Sequence, residues 1–401
     1  MPARADKPFW DIHKRQLKYE RATEALAASS ISDGNRQLIL EFIRHKKIAE
    51  DIGISRQTKY LHYLRILGEL LGKRFDEATA ADIEDLLEKA YGRPVQRGET
   101  IKEASVSTKR DLAVMLKTFY KWIKKKDNPD EVAWIKPMKV EHPFLGPDVL
   151  VSWDDIEKMA AVCLNVRDEA FLRALMESGC RIGELLSLRV SDLEPRGKAV
   201  VIRLRQSKTQ LRKILLVRSA GYLIRWRNSH PHRDDPEYPL WIDMQRHKQL
   251  SYASASYILK RLAKRAGLKK HIHPHLFRKS SATYYAQYLS PSELKARYGW
   301  KQSSKMLDIY LHIDDEDVNR HILQIEGVED AEKPKEKLKS CLSCGTLNPG
   351  GAENCCLCNE LLDEGQYYRQ KQVMGIIDNL IQEKAGGYEK LFGEATTKPI
   401  Q

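Results

Sequence analysis

Ser178-Gly179-Cys180-Arg181-Ile182-Gly183-Glu184-Leu185-Leu186 decides how this chain is read. An apolar helix runs up to Gly179, a residue suited to a left-handed helix C-cap. A second helix starts at once, with Ile182, Leu185 and Leu186 turned inward. Arg181 is therefore expected at a helix N-terminus. There the backbone donors, the positive dipole end and the guanidinium all favour an anion. The plainer alternative is an ion pair between Arg181 and Glu184.

Composition bounds what surrounds this joint. The chain has 401 residues, and 68 basic against 55 acidic side chains give a formal charge of +13. Residues 326–401 hold nine Lys/Arg and thirteen Asp/Glu, so that segment carries 9 − 13 = −4 and the rest +17. A large basic body points to a polyanion, most often nucleic acid, although a soluble protein can simply be basic. The 42% hydrophobic content suffices for ordinary cores. Runs such as Ile214–Val217 are far too short to span a bilayer, and no secretory signal is visible after Met1. The expectation is a cytoplasmic protein with reduced thiols and no membrane partner.

Outward from the joint, periodicity divides the chain. Residues 1–32 read as a charged N-terminal helix or arm, and residues 33–137 as all-helical. Within these, Ser55 is a candidate N-cap, and Thr79 with Asp82 resembles a capping box. A polar stretch, Gly92 to Glu103, precedes a helix over about 107–126. One side of that helix is apolar, and the other carries Lys109, Arg110, Lys117, Lys121, Lys124, Lys125 and Lys126. A single-signed stripe of this length favours phosphate contact over a merely solvated face. Residues 138–151 form a Pro/Gly linker, and Ser152-x-x-Asp155 opens a new domain over 152–325. Two strand-like runs, Ala199–Arg205 and Lys213–Val217, flank a turn holding Lys208 and read as a β-hairpin. Residues 326–340 are a charged linker, and a helix near 365–384 carries an apolar stripe with no obvious partner.

Further residues in 152–325 have chemical potential. His275-Leu276-Phe277-Arg278 puts an imidazole and a guanidinium on one helix face. Histidine moves protons near neutral pH, and arginine grips two phosphate oxygens. Tyr298-Gly299-Trp300 is followed by Tyr310 in Asp308-Ile309-Tyr310-Leu311-His312. A phenol can attack phosphorus once deprotonated. Each piece alone is more often structural.

Together, Arg181, Lys208, His275-x-x-Arg278, Gly299-Trp300 and Tyr310 stand in the order and context of the tyrosine recombinase (phage integrase) family, which this chain resembles over about residues 33–325. Asn165-Val166-Arg167-Asp168, Ser207-Lys208-Thr209 and Tyr310-Leu311-His312-Ile313 agree with it. Ser105–Arg110 and Leu116–Ile123 resemble the family's core-binding domain. The resemblance implies a mainly α, multidomain protein: an all-helical DNA core-binding domain (33–137) and an α+β catalytic domain (152–325), mostly helical with a small antiparallel sheet. It implies a site-specific recombinase acting on double-stranded DNA, without ATP, as a tetramer on its site. Arg181 and Arg278 would clamp the scissile phosphate. Tyr310 would attack it to give a 3′-phosphotyrosyl bond, and Lys208 would protonate the leaving 5′-oxygen. His275 would serve the nucleophile as acid or base, and Trp300 would hydrogen-bond the phosphate. Two departures stand out: Trp300 occupies a position more often His, and the Trp300-to-Tyr310 spacing is one residue longer than the commonest family pattern. Tyr298 is the weaker candidate nucleophile. A type IB topoisomerase shares the chemistry, and a catalytically silent DNA-binding protein is a third reading, opposed by the intact residue set.

The cysteines form a separate signal. Cys341-x-x-Cys344 and Cys355-Cys356-Leu357-Cys358 lie ten residues apart, a spacing suited to a structural Cys₄ zinc site with Cys341, Cys344, Cys355 and Cys358 as ligands. Residues 341–360 resemble a small zinc ribbon, followed by a C-terminal helix and tail (361–401). Cys356 breaks the spacing and reads as a spare thiol or a competing ligand. The ribbon's acidic surroundings favour a protein partner at least as much as DNA. Catalysis by this family needs no cofactor.

Overall fold

The computed structural model describes residues 11–93, 95–97, 100–140, 146, 148–205, 211–301, 303 and 338–392. The chain divides into two units, His13–Pro143 and Met1–Ile12 with Phe144–Gln401.

The first unit is built by capped amphipathic helices. They are α1 (Arg15–Ala27), α2 (Asp33–Glu50), α3 (Ile54–Leu71), α4 (Ala80–Gly92), α5 (Val106–Lys124) and the short α6 (Asp130–Ala133). Ser32 and Ser105 accept hydrogen bonds from the backbone N–H three residues on, and Thr79 and Asp82 form the expected reciprocal cap. The N-cap of α3 is Gly53, not Ser55, which sits inside the first turn. Residues 15–27, read as part of an N-terminal helix or arm, form the helix α1, which packs on α3 and buries Leu26. The unit is also not wholly helical. Val95–Arg97 (β1) and Thr100–Lys102 (β2) form an antiparallel hairpin within the polar stretch. Phe119 centres the core, its ring edge-on to Phe42 and Phe75 at 5.1 Å each.

The basic stripe of α5 is partly neutralised. Lys117 Nζ donates to the Ile135 carbonyl at 2.9 Å, and Lys124 Nζ pairs with Glu131 at 2.8 Å. Lys121 pairs with Asp127, and Lys126 with Asp130. These contacts fasten α5 to the segment that follows it, so the stripe is less purely a phosphate surface than its sequence implies.

The second unit begins at α7 (Trp153–Ala161), where Ser152 and Asp155 cap each other as expected. Then come α8 (Val166–Ser178), α9 (Ile182–Leu186) and a sheet of β3 (Leu193–Arg196), β4 (Ala199–Leu204) and β5 (Arg212–Leu216). The sheet is antiparallel in the order β3-β4-β5, with Ile202 opposite both Leu193 and Ile214. The hairpin read from the sequence is thus present and gains a third strand. Helices α10 (Ala220–Asn228), α11 (Tyr252–Arg265), α12 (Pro274–Ala286) and α13 (Pro291–Tyr298) complete the body. Glu177, buried near the end of α8, accepts from the N–H groups of Val217, Arg218 and Ser219 at 2.7–3.0 Å. It thereby supplies the anion that the N-terminus of α10 needs. Among the described residues no helix is long and apolar enough to cross a membrane.

Past residue 338, β6 (Lys339–Ser340) pairs with β7 (Leu347–Asn348), and α14 (Glu364–Phe392) follows the cysteine knuckles. This small module does not hang free. Cys356, read as a spare thiol, joins the main core cluster of the unit. A Cβ on Gly221 of α10 would overlap Cys356 Sγ and stand 2.6 Å from Thr346 Cγ2. Lys198 Nζ donates to Ser340 Oγ at 3.1 Å beside this contact. Replacing Gly221 by Ala must therefore push the module outward. We expect the Gly221→Ala protein to lose about 1–3 kcal/mol of stability, as overpacking does, and to exchange amide hydrogens faster over 341–362. Unchanged exchange there would mean that the contact does not hold the module.

Candidate active site

The joint at 178–186 folds as its residues dictate. Gly179 is the C-cap of α8 with φ of +54°, and a Cβ there would lie 2.5 Å from Tyr298 Cε1 and 2.6 Å from Ser281 Oγ. Only glycine satisfies both the backbone and the close approach. Arg181 is the N-cap residue of α9, as expected.

The ion pair with Glu184 is present, but it is not a surface bridge. Glu184 is buried and serves two arginines. It accepts from Arg181 N at 2.8 Å and Arg181 Nη1 at 2.9 Å, and from Arg212 Nη2 at 2.8 Å. Arg212, on β5, also donates from Nε to the Arg297 carbonyl at 2.9 Å, tying in α13. Burial alone would raise the Glu184 pKa. The Arg212 hydrogen bond and charge, with Arg181, outweigh it and leave the carboxyl below its ordinary value. Glu184 thus orients Arg181, whose side chain stays one-third exposed at 33%.

Arg278, three residues after His275 on α12, is buried. Its Nη1 donates to the Gly179 carbonyl at 2.9 Å and its Nη2 to the Tyr298 carbonyl at 2.7 Å. Both acceptors end helices, α8 and α13, where the dipole is negative. Among the described residues no carboxylate pairs with Arg278. Its pKa is lowered to about 10, first by burial and next by the charge of Arg181. It remains a cation at neutral pH. His275 stands at the solvent edge of the same helix face, and its pKa is lowered by desolvation and then by Arg278, Lys279, His273 and Arg181. Its imidazole is neutral at pH 7. Trp300 stacks on Tyr298 with centroids 5.0 Å apart, and the Arg278 guanidinium lies 5.6 Å from the Trp300 ring.

So Arg181, His275, Arg278 and Trp300 form one cationic cluster at the meeting of α8, α9, α12 and α13. Lys208 and Tyr310 lie outside the described residues. Tyr298 is not an available nucleophile. It is fully buried, its hydroxyl is 2.8 Å from Ser281 Oγ, and desolvation raises its pKa. The positioning residues Arg212 and Ser281 were not singled out in the sequence. Glu184 was visible only as a partner of Arg181. Arg212 sits in a strand with its carboxylate 28 residues away, a pairing no local pattern signals.

In the C-terminal module the four expected cysteines converge. The sulfurs of Cys341, Cys344, Cys355 and Cys358 all lie within 4.8 Å of one another, with Cys341–Cys358 at 3.5 Å and Cys344–Cys355 at 3.6 Å. A tetrahedral ion with bonds of about 2.3 Å places its sulfurs about 3.8 Å apart, so the set fits a metal. Each knuckle ends on a left-handed residue, Gly345 (φ +71°) or Asn359 (φ +64°). Buried Asn348 links them, accepting from Cys356 N at 2.8 Å and donating to the Thr346 carbonyl at 2.9 Å. Cys356 is not part of the cluster, and burial pushes its thiol up to about 12.

The chain thus has one helical, capped unit and one mostly helical unit with a small sheet, and Arg181 and Arg278 lie in the second. Residues 151–317 match the phage integrase family. It is 26% identical over 276 residues to tyrosine recombinase XerC of Alcanivorax borkumensis, covering 67% of this chain and 85% of that one. It is 25% identical over 260 residues to XerC of Bacillus pumilus, covering 62% and 81%. The fold is similar to that of XerH recombinase bound to difH substrate (TM-score 0.51, 17% identity, 79% of this chain and 97% of that one). It is also similar to the Tn1549 transposon integrase in complex with circular intermediate DNA (TM-score 0.55, 16% identity, 71% and 98%).

The buried Glu184 pair makes a pH prediction. Its lowered pKa adds stability above the unfolded carboxyl value near 4.3, and this is lost as pH falls through the folded value. Glu184→Gln should flatten the fall in melting temperature below about pH 4.5. An acid limb identical to that of the unsubstituted protein would show that Glu184 is not held ionised by its arginines.

Proposed function

We propose that this chain is a site-specific DNA recombinase that breaks and rejoins DNA through a covalent bond between Tyr310 and a 3′-phosphate. The supporting observation is the convergence of Arg181 and Arg278, one braced by a buried carboxylate and the other by two helix-end carbonyls. With Arg212 they set three guanidiniums against the one carboxylate of Glu184, and the net positive charge attracts a phosphodiester. It also stabilises the charge that builds on the non-bridging oxygens in the transition state.

The steps balance without a nucleotide cofactor. The Tyr310 phenol loses its proton to His275, whose lowered pKa keeps it neutral and ready to accept. A Tyr310 O–P bond forms as the P–O5′ bond breaks. Lys208 delivers a proton to the departing 5′-oxygen, and Trp300 donates its indole N–H to the phosphate. A 5′-hydroxyl from another strand then reverses the sequence, so the bond energy is kept in the phosphotyrosine. Exchange between two duplexes requires four such sites, hence a tetramer on double-stranded DNA, with the cytoplasm as its compartment.

We assign zinc to Cys341, Cys344, Cys355 and Cys358 in a structural role. When bound, the ion cross-links the two knuckles of a module with few apolar residues of its own. A protein partner for this module fits its acidic surroundings.

A nicked suicide substrate tests the nucleophile. The unsubstituted chain should accumulate a covalent 3′-adduct. Tyr310→Phe should bind the same DNA with unchanged affinity and form none, and an adduct that persists in it overturns the assignment. Metal content tests the second site. One zinc per chain is expected, with Cys356→Ala retaining it and Cys344→Ala losing it. Chelation should lower the melting temperature of the catalytic unit, because Cys356 packs into that core. Loss of zinc from Cys356→Ala would make Cys356 a ligand.

A further inference from the structure

We infer that α14 is a self-association element whose exposed apolar face pairs with the same face of a second copy of this chain. Helix α14 begins at Glu364, past residue 317 where the match to the phage integrase family ends. It is also not a loose tail. Asp363 caps it by accepting from Gln366 N at 2.8 Å, and Lys371 Nζ pairs with Glu360 Oε1 at 2.9 Å. The module carrying it is seated on α10 through Cys356 and Gly221.

Val373, Met374, Ile376, Ile377, Leu380 and Ile381 are between 41% and 60% exposed, although the helix is set on a folded module. At 100° per residue they occupy one continuous stripe of about 160°, wider than a surface helix needs for a single shallow contact. Val373, Ile377 and Leu380 run down its middle, with Met374 and Ile381 on one flank and Ile376 on the other. Lys371 and Asp378 fall outside it.

The area of the stripe selects a second copy as the occupant. From Val373 to Ile381 it holds no charge, and Arg369 borders it one turn before Val373. The exposed portions amount to about 500 Å² of apolar surface per copy, near the upper end of what a monomer leaves uncovered. A pair would bury about 1,000 Å², the size at which specific interfaces begin. Because the helix is fixed to the module, pairing joins catalytic units before any DNA is bound. This does not rest on the strand-transfer reading and can hold if that reading fails.

Sedimentation of the zinc-loaded full chain without DNA, over a micromolar concentration series, tests it. The expected mass is twice that of one chain. Ile377→Glu with Ile381→Glu should halve it without changing the helical circular dichroism signal, and α14 amides should exchange faster in that variant. A single-chain mass at every concentration overturns the proposal, whether the α14 amides exchange freely or are protected by the chain's own residues. A doubled mass that survives both substitutions places the interface elsewhere and equally overturns it.

Discussion

Arg278 is held by two carbonyls that end helices, Gly179 at the close of α8 and Tyr298 at the close of α13. A buried guanidinium costs desolvation energy unless its donors are met. Here they are met by peptide oxygens, which satisfy hydrogen bonds without cancelling the charge. That choice of partner decides much else. The two helix ends must converge, so Gly179 must have no side chain and Tyr298 must lie flat beneath Trp300. A carboxylate in either place would have offset the guanidinium's charge.

Arg181 solves the same problem differently. It is oriented by a true carboxylate, but Glu184 is divided between Arg181 and Arg212. One negative charge is shared by two positive ones, and the local balance stays positive. The pocket is cationic because its supports are short of negative charge by construction. His275 feels the result after desolvation, since burial first and then the surrounding cations favour its neutral form, the one able to accept a proton.

How much of this was legible in the sequence follows from the range of each interaction. Short-range signals read well. The caps at Thr79–Asp82 and Ser152–Asp155, the left-handed stop at Gly179 and the knuckles at Cys341 and Cys355 all depend on neighbours within a few residues. The ordered set from Arg181 onward pointed to the family as a pattern, not through any single contact. Interactions between distant segments were invisible. Arg212 fell in the turn read before the second strand, and β3 was too short and polar to stand out beside β4. Ser55 misled because a good capping residue lay two positions after the glycine that supplies the required extended backbone. The α5 lysines looked single-signed because their partners Glu131, Asp127 and Asp130 arrive from the next turn of chain.

The seat of Cys356 against Gly221 makes the cysteine module and α10 depend on one another. A small module that follows a catalytic domain can fold beside it without entering its core. This one reaches the core, and α10 has no side chain where it enters. Any larger residue at 221 closes the seat, and loss of the module leaves a bare notch on α10. The two positions are therefore coupled, because a side chain at 221 is excluded by the module seated there.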